Sequence, residues 1–251
     1  MSEKRSYYGY NSSSSSNSNL ISRPVRRHLL HVYLTLAAMS AIATMSTQLG
    51  DYLGPVGSTI GSLGTVLSIL LFRFTAPNSR NRWALLLAYS VSIGIGLASF
   101  LTFFTHWDSS GNIVFMALSS AVVIFLGFSA SAVLADRRSM LYVGGLVSSI
   151  LAVLFWLSLA NSLFIRSQSI LSLEMYGGLI AFAGFVLYDT QMIIERASAG
   201  LTDVPGHSME LFMDLYALFV RLLEIFLKKE LDKEEDRKRK KRQNRLRRDY
   251  Y

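Results

Sequence analysis

The stretch MYGGLIAFAGFVLYDTQMIIERASAG, residues 175–200, followed by HSMELFMDLYALFVRLLEIFLK, residues 207–228, decides how this chain is read. Each half holds an apolar run of roughly the 20 residues that an α-helix needs to cross about 30 Å of hydrocarbon. Each also carries an acid where lipid would surround it, Asp189 in the first and Asp214 in the second. A carboxylate at the centre of a spanning helix costs roughly 2.5 to 3.5 kcal/mol on insertion scales, so its presence marks an ion path, a proton relay or a catalytic site.

Similar apolar runs recur toward the N terminus in a chain of 251 residues that is 51% hydrophobic and 17% charged. They predict helices at 29–50, 54–74, 83–104, 112–135, 140–163, 172–194 and 208–227, and with them an all-α polytopic membrane protein with seven transmembrane helices. Residues 1–28, which include NSSSSSNSN, are too polar to order themselves and read as a disordered cytosolic tail. Residues 29–227 form the transmembrane domain, and 228–251 a charged, basic C-terminal tail. With no cleavable leader pattern at the start, the first spanning helix is expected to act as an uncleaved targeting signal.

The net charge of +8 is mostly one segment, because residues 228–249 hold 12 of the 25 basic and 6 of the 17 acidic side chains. The run Arg237, Lys238, Arg239, Lys240, Lys241 and Arg242 would suggest nucleic-acid binding in a soluble protein. After several apolar helices, anionic lipid headgroups are the simpler target, and a partner protein is the alternative; no nucleic acid is expected. The absence of cysteine excludes disulfides and thiol chemistry. The four histidines lack zinc-site spacing, and no cofactor is expected.

Loops with Arg23, Arg26 and Arg27, with Arg73, Arg80 and Arg82, and with Arg137 and Arg138 alternate with loops carrying Asp51, His106 and Asp108, or Arg166 and Glu174. The positive-inside rule puts the first set, and the N terminus, in the cytosol. If 208–227 crosses, the basic tail ends on the far side, against that rule; if it re-enters, the tail stays cytosolic. Glu210, Asp214, Arg221 and Glu224 make this segment too polar to face lipid, so it is expected to be the central helix. Arg221 and Glu224, at i,i+3, can pair along it, or serve transport directly.

Asp189 lies six residues before Glu195 and Asp214 six after Ser208, which sets both at equal depth on adjacent helices. Two carboxylates at close range in low dielectric cannot both ionise cheaply, so the pair is expected to share a proton and to act as a pH sensor. With its proton it holds the two helices together. Without it, two repelling charges part them and offer oxygen ligands for a passing Ca²⁺. The alternative is that each acid separately satisfies a backbone amide or a basic residue. Arg73 is the nearest external cation by topology, or else a snorkelling boundary arginine. Gly54, Gly57, Gly61 and Gly64 give the second helix one smooth face, and Gly177, Ala181 and Gly184 do the same for the sixth, for close packing or for sliding.

Taken together, HLLHVY (28–33), TAP (75–77), RRSMLYVGG (137–145), GFVLYDTQMIIERASAG (184–200) and HSMELFMDLYALFVRLLEIFLK (207–228) resemble the Bax inhibitor-1 family of small polytopic membrane proteins. The resemblance runs from about 28 to 241. It implies a seven-helix fold with a central last helix, residence in the endoplasmic reticulum membrane, suppression of programmed cell death and a pH-sensitive passive calcium leak. It also implies that the family's paired aspartates are Asp189 and Asp214, with calcium ions, protons, membrane lipids and Bcl-type apoptosis regulators as partners. Asp136, Pro205, Gly206 and the Ser-rich N terminus depart from the family pattern.

Two rival functions are a non-conducting scaffold that binds apoptosis regulators and an intramembrane aspartyl protease. Tyr188 and Asp189 reproduce the Tyr-Asp element of presenilin-like enzymes, but Asp214 sits in Leu-Phe-Met-Asp rather than Gly-x-Gly-Asp. No enzymatic activity is therefore expected. An oligomer is compatible with the sequence, which does not specify one.

Overall fold

The computed structural model describes residues 21–249 other than 78, 108–110 and 136–139; of 105–107, 140–141 and 245–249 it describes the backbone only. The Ser-rich N terminus, Asp108, Asp136, Arg137 and Arg138 thus lie outside the described residues, as does the side chain of His106. Six α-helices follow in order: α1 (Arg23–Phe74), α2 (Arg80–Trp107), α3 (Asn112–Leu134), α4 (Met140–Ala160), α5 (Gln168–Ser198) and α6 (Val204–Asp249). A π-helical turn, Asn161–Ile165, closes α4. Five helices, all but α6, are long and apolar enough to cross a membrane.

Where the sequence reading expects two helices at 29–50 and 54–74, α1 covers both and is broken at Gly54, whose φ of 63° and ψ of −151° are not helical. A left-handed φ costs glycine little, and Pro55 after it has no N–H to continue the ladder. The break reverses the chain. Residues 43 to 51 advance with 94 to 102 on α2, as in Gly94 against Ala43 and Thr102 Oγ1 donating to Asp51 Oδ1 at 2.8 Å. Past the break, Ser58 meets Ser99, Gly61 meets Gly96, and Phe72 lies under the Arg82 guanidinium, so the second arm runs antiparallel to α2. Gly54 therefore forms the turn rather than the smooth face expected of it. Gly61 and Gly64 do make that face, against α2, while Gly177 and Gly184 admit Leu154 and Val147 of α4.

α6 is the hub. It packs against α1, α2, α3 and α5, and Leu211, Leu218 and Leu223 along it are fully buried. The central position expected for the last helix follows from its charges, which the surrounding helices shield from lipid. By contrast α4 packs chiefly on α5 and leaves Val153, Phe155 and Trp156 exposed. A helix apolar on all sides is what a hydrocarbon solvent permits. The charged segment from 228 is no separate tail, because α6 continues unbroken through it. Pro205 and Gly206 fall in its first turn, where a missing N–H is harmless. At the other end α1 begins at Arg23 and buries Val25 and His28, within the stretch to 28 that the sequence reading leaves outside the helices.

Candidate functional site

α5 and α6 are antiparallel neighbours along their whole common length. Arg196 pairs with Glu210 at one end, and Lys228 Nζ donates to Ser172 Oγ at the other. Asp189 lies nine residues before the end of α5 and Asp214 ten after the start of α6, about 14 and 15 Å along their helices. This common depth brings the two side chains within hydrogen-bonding reach of each other. Asp214 is 7% exposed, and its Oδ2 is buried without a donor among the described residues. A hydrogen bond between two carboxyl groups exists only while one of them holds a proton.

Around the pair, buried polar groups mostly satisfy one another. Gln191 Nε2 donates to the Ala132 carbonyl, Thr190 lies 3.4 Å from Ser129, and Ser208 Oγ donates to the Val32 carbonyl at 3.2 Å. One turn before Asp214, Glu210 takes a two-pronged bond from Arg196, both oxygens at 2.9 Å. Both aspartates feel Glu210, and Asp189 also feels Arg196. The arrangement sets a carboxyl pair beside a third acid that already has its own cation.

Toward the loop that joins α5 to α6, His28 Nε2 and His207 Nδ1 share a hydrogen bond of 2.8 Å, with their rings edge to face. One ring must be neutral for that bond to form. Ahead of the predicted 208–227 span, burial, then His28, Arg196 and Arg82, push His207 down to about 4. Beside it the Arg82–Asp203 ion pair is largely buried, at 12% and 15% exposure, and Arg82 Nε also donates to the Thr75 carbonyl. These contacts fasten α1, α2 and the start of α6 together.

Of the residues expected at the site, Asp189 and Asp214 are brought together. Arg221 and Glu224 pair with each other at 3.0 Å, two to three turns deeper. Arg73 is exposed in the last turn of α1, and the cation that acts on Asp189 is Arg196. Arg237 to Arg242 lie exposed on the helical extension of α6. Sequence reading missed Arg196, Glu210, Arg82, Asp203 and the histidine pair. Two had a signal: Arg196 follows Asp189 by seven residues and Glu210 precedes Asp214 by four, each on the same helical face. Among the described residues, no three His, Asp or Glu side chains converge as a metal site.

The fold and this polar band define a multi-pass helical membrane protein with an acid pair enclosed between its last two helices. Residues 25–230 match the family described as "Inhibitor of apoptosis-promoting Bax1". Curated relatives named Bax inhibitor 1 include those of rice, 39% identical over 93% of both chains, and of Arabidopsis thaliana, 40% identical over 85% of this chain and 86% of the relative. The human Bax inhibitor 1 is 32% identical over 87% of this chain and 92% of its own. The chain belongs to the Bax inhibitor 1 family.

Proposed function

We propose that this protein suppresses programmed cell death from the endoplasmic reticulum membrane by acting as a pH-sensitive passive leak for Ca²⁺, gated by Asp189 and Asp214. The observation that carries the reading is the direct approach of these two acids across the α5–α6 contact. Ca²⁺ is the cargo. A pair of carboxylates is too few oxygens for a resident calcium site, which takes six to eight, so the ion is held in transit. While one proton is shared, the hydrogen bond closes the helix pair. Its loss leaves two like charges in a poorly solvated place, and their repulsion favours separation.

Arginines at the Arg23, Arg80 and Arg196 end support a cytosolic N terminus. The continuous contact of α6 with α5, from Glu210 to Lys228, supports a crossing by α6 and an exit of its basic extension on the opposite side. There the run 237–242 meets anionic headgroups or a partner protein. The scaffold reading differs in needing no flux.

The deciding experiment is Ca²⁺ efflux from liposomes holding the purified protein, from about pH 6 to about pH 8. Flux through the wild type should rise with pH, and Asp189→Asn and Asp214→Asn should flatten the curve. Curves of unchanged shape in both variants would take the gate away from these residues. No flux from a folded wild type would favour the scaffold.

A further inference from the structure

A second acid on α5 leaves a buried oxygen without a hydrogen bond among the described residues. Glu174 is 8% exposed, and its Oε1 is buried with no hydrogen bond. It lines a cavity of about 480 Å³ between α4, α5 and α6, together with Gly178, Arg221, Leu154, Phe155 and Trp156. A guanidinium lies close by without reaching it. Arg221 rests on Gly178, one turn from Glu174, with its Nε at 3.0 Å from where a Cβ would stand. Yet its Nη1 donates to Glu224, and the nearby Lys228 is taken by Ser172. Arg221 has five N–H donors and that ion pair uses one, so the cavity holds spare donors against Gly178 and a bare carboxylate oxygen on the residue one turn before it.

Depth and walls limit what fits. The 31 residues of α5 make about 46 Å of helix against about 30 Å of hydrocarbon, so a centred α5 would project about 8 Å at each end. Glu174, about 9 Å from the start of α5, therefore sits where headgroups meet acyl chains. Trp156 and Phe155 are exposed on the α4 rim, an aromatic edge of the kind found at that boundary. One carboxylate beside a guanidinium is a poor cation site. The cavity instead suits a zwitterion with an anionic group toward Arg221, an N–H donor toward Glu174 and an apolar chain along Leu154 and Phe155.

The geometry points to a phospholipid site at Glu174 and Arg221 that selects a headgroup with a primary ammonium, as in phosphatidylethanolamine. The phosphate accepts from the free Arg221 donors, and the ammonium donates to Glu174 Oε1. A quaternary choline headgroup has no N–H to offer. An anionic headgroup without an amine leaves Glu174 bare and adds repulsion.

Native mass spectrometry of the full-length protein, given equal amounts of phosphatidylethanolamine, phosphatidylcholine and phosphatidylglycerol in detergent, tests this. The wild type should retain one phosphatidylethanolamine about tenfold better than either competitor, the scale of one charge-assisted hydrogen bond. Glu174→Gln, almost the same shape, keeps an acceptor oxygen but loses the charge, and should weaken the preference for ethanolamine over choline several-fold while keeping the wild-type melting temperature. Should Glu174→Gln fail to fold, step-wise N-methylation of the headgroup against the wild type reads the same bond, with retention falling sharply at the trimethyl stage. Equal retention of all three lipids by the wild type would overturn the site, as would a preference undiminished in Glu174→Gln. So would Ca²⁺ bound at Glu174 in place of lipid. Asp189→Asn should leave the lipid preference intact, which separates this result from the fate of the calcium gate.

Discussion

The two ends of the α5–α6 pair bury charge in opposite ways. At the end near the connecting loop, polar groups meet one another: His28 with His207, Arg82 with Asp203, Arg196 with Glu210, and Asp189 with Asp214. At the other end Arg221 pairs with Glu224, while Glu174 faces a cavity with a bare oxygen. At the first end the acids face each other, so the contact responds to a proton, although Asp214 Oδ2 takes no donor from the described residues. The second is the end where we propose that a lipid headgroup completes the contacts. A buried polar group without a partner is costly wherever it lies, so one helix pair can carry a proton-sensitive contact and a ligand-dependent one a few turns apart.

The sharpest break of this contrast is Arg82→Ala, which takes the guanidinium away from Asp203, itself only 15% exposed. Removing one partner of a buried pair costs about 3 kcal/mol or more, so the variant should melt far below the wild type in detergent. Equal melting would mean that this end is not locked. Next in size, Gly178→Ala puts a methyl group 3.0 Å from Arg221 Nε, and Gly178 is buried. Overpacking of about 1 kcal/mol is expected, along with weaker lipid retention, because the guanidinium must shift. A change in the pH profile of flux instead would show that the two ends are coupled.

A pH series on stability sharpens the picture of the loop end. His207 stays neutral in the fold down to about 4, whereas an unfolded histidine takes up its proton near 6.5. Unfolding therefore binds a proton inside that window, and stability should fall as pH drops from 6.5 toward 4. His207→Gln should flatten this part of a melting-temperature curve. The smallest effect belongs to Arg221→Gln, whose ion pair is a third exposed on each side. It should cost well under about 1 kcal/mol of stability, while lipid retention drops. A large stability loss would make the Arg221–Glu224 pair structural rather than a lipid contact.

Much of this molecule was legible before any coordinates. Apolar length and charge content indicated a helical membrane protein, and four charged residues within 208–227 implied that this helix is wrapped by the others. Asp189 and Asp214 stood out because acids are rare in such runs, and their equal distance from a short loop sets them at one depth. Other features were not legible. Gly54 read as one more small residue on a smooth face, because nothing local separates a packing glycine from one that takes a left-handed φ. The end of α6 was set at 227, where hydropathy falls, but a helix needs no apolar surface to continue once it is nucleated and propagating. Arg73 was chosen by topology alone, whereas Arg196 sits seven residues from Asp189 on a shared face.

By itself the sequence determined the solvent, the helices and the presence of two acids inside them, since these follow from local composition and the 1.5 Å rise per residue. Only the tertiary structure decided that the acids meet, that His28 finds His207 across 179 positions, and that Glu174 Oε1 finds no hydrogen bond among the described residues. Those outcomes depend on which faces of separate helices are pressed together. Helical rotation and crossing are settled by packing along the whole length of each pair, which no single stretch of chain records.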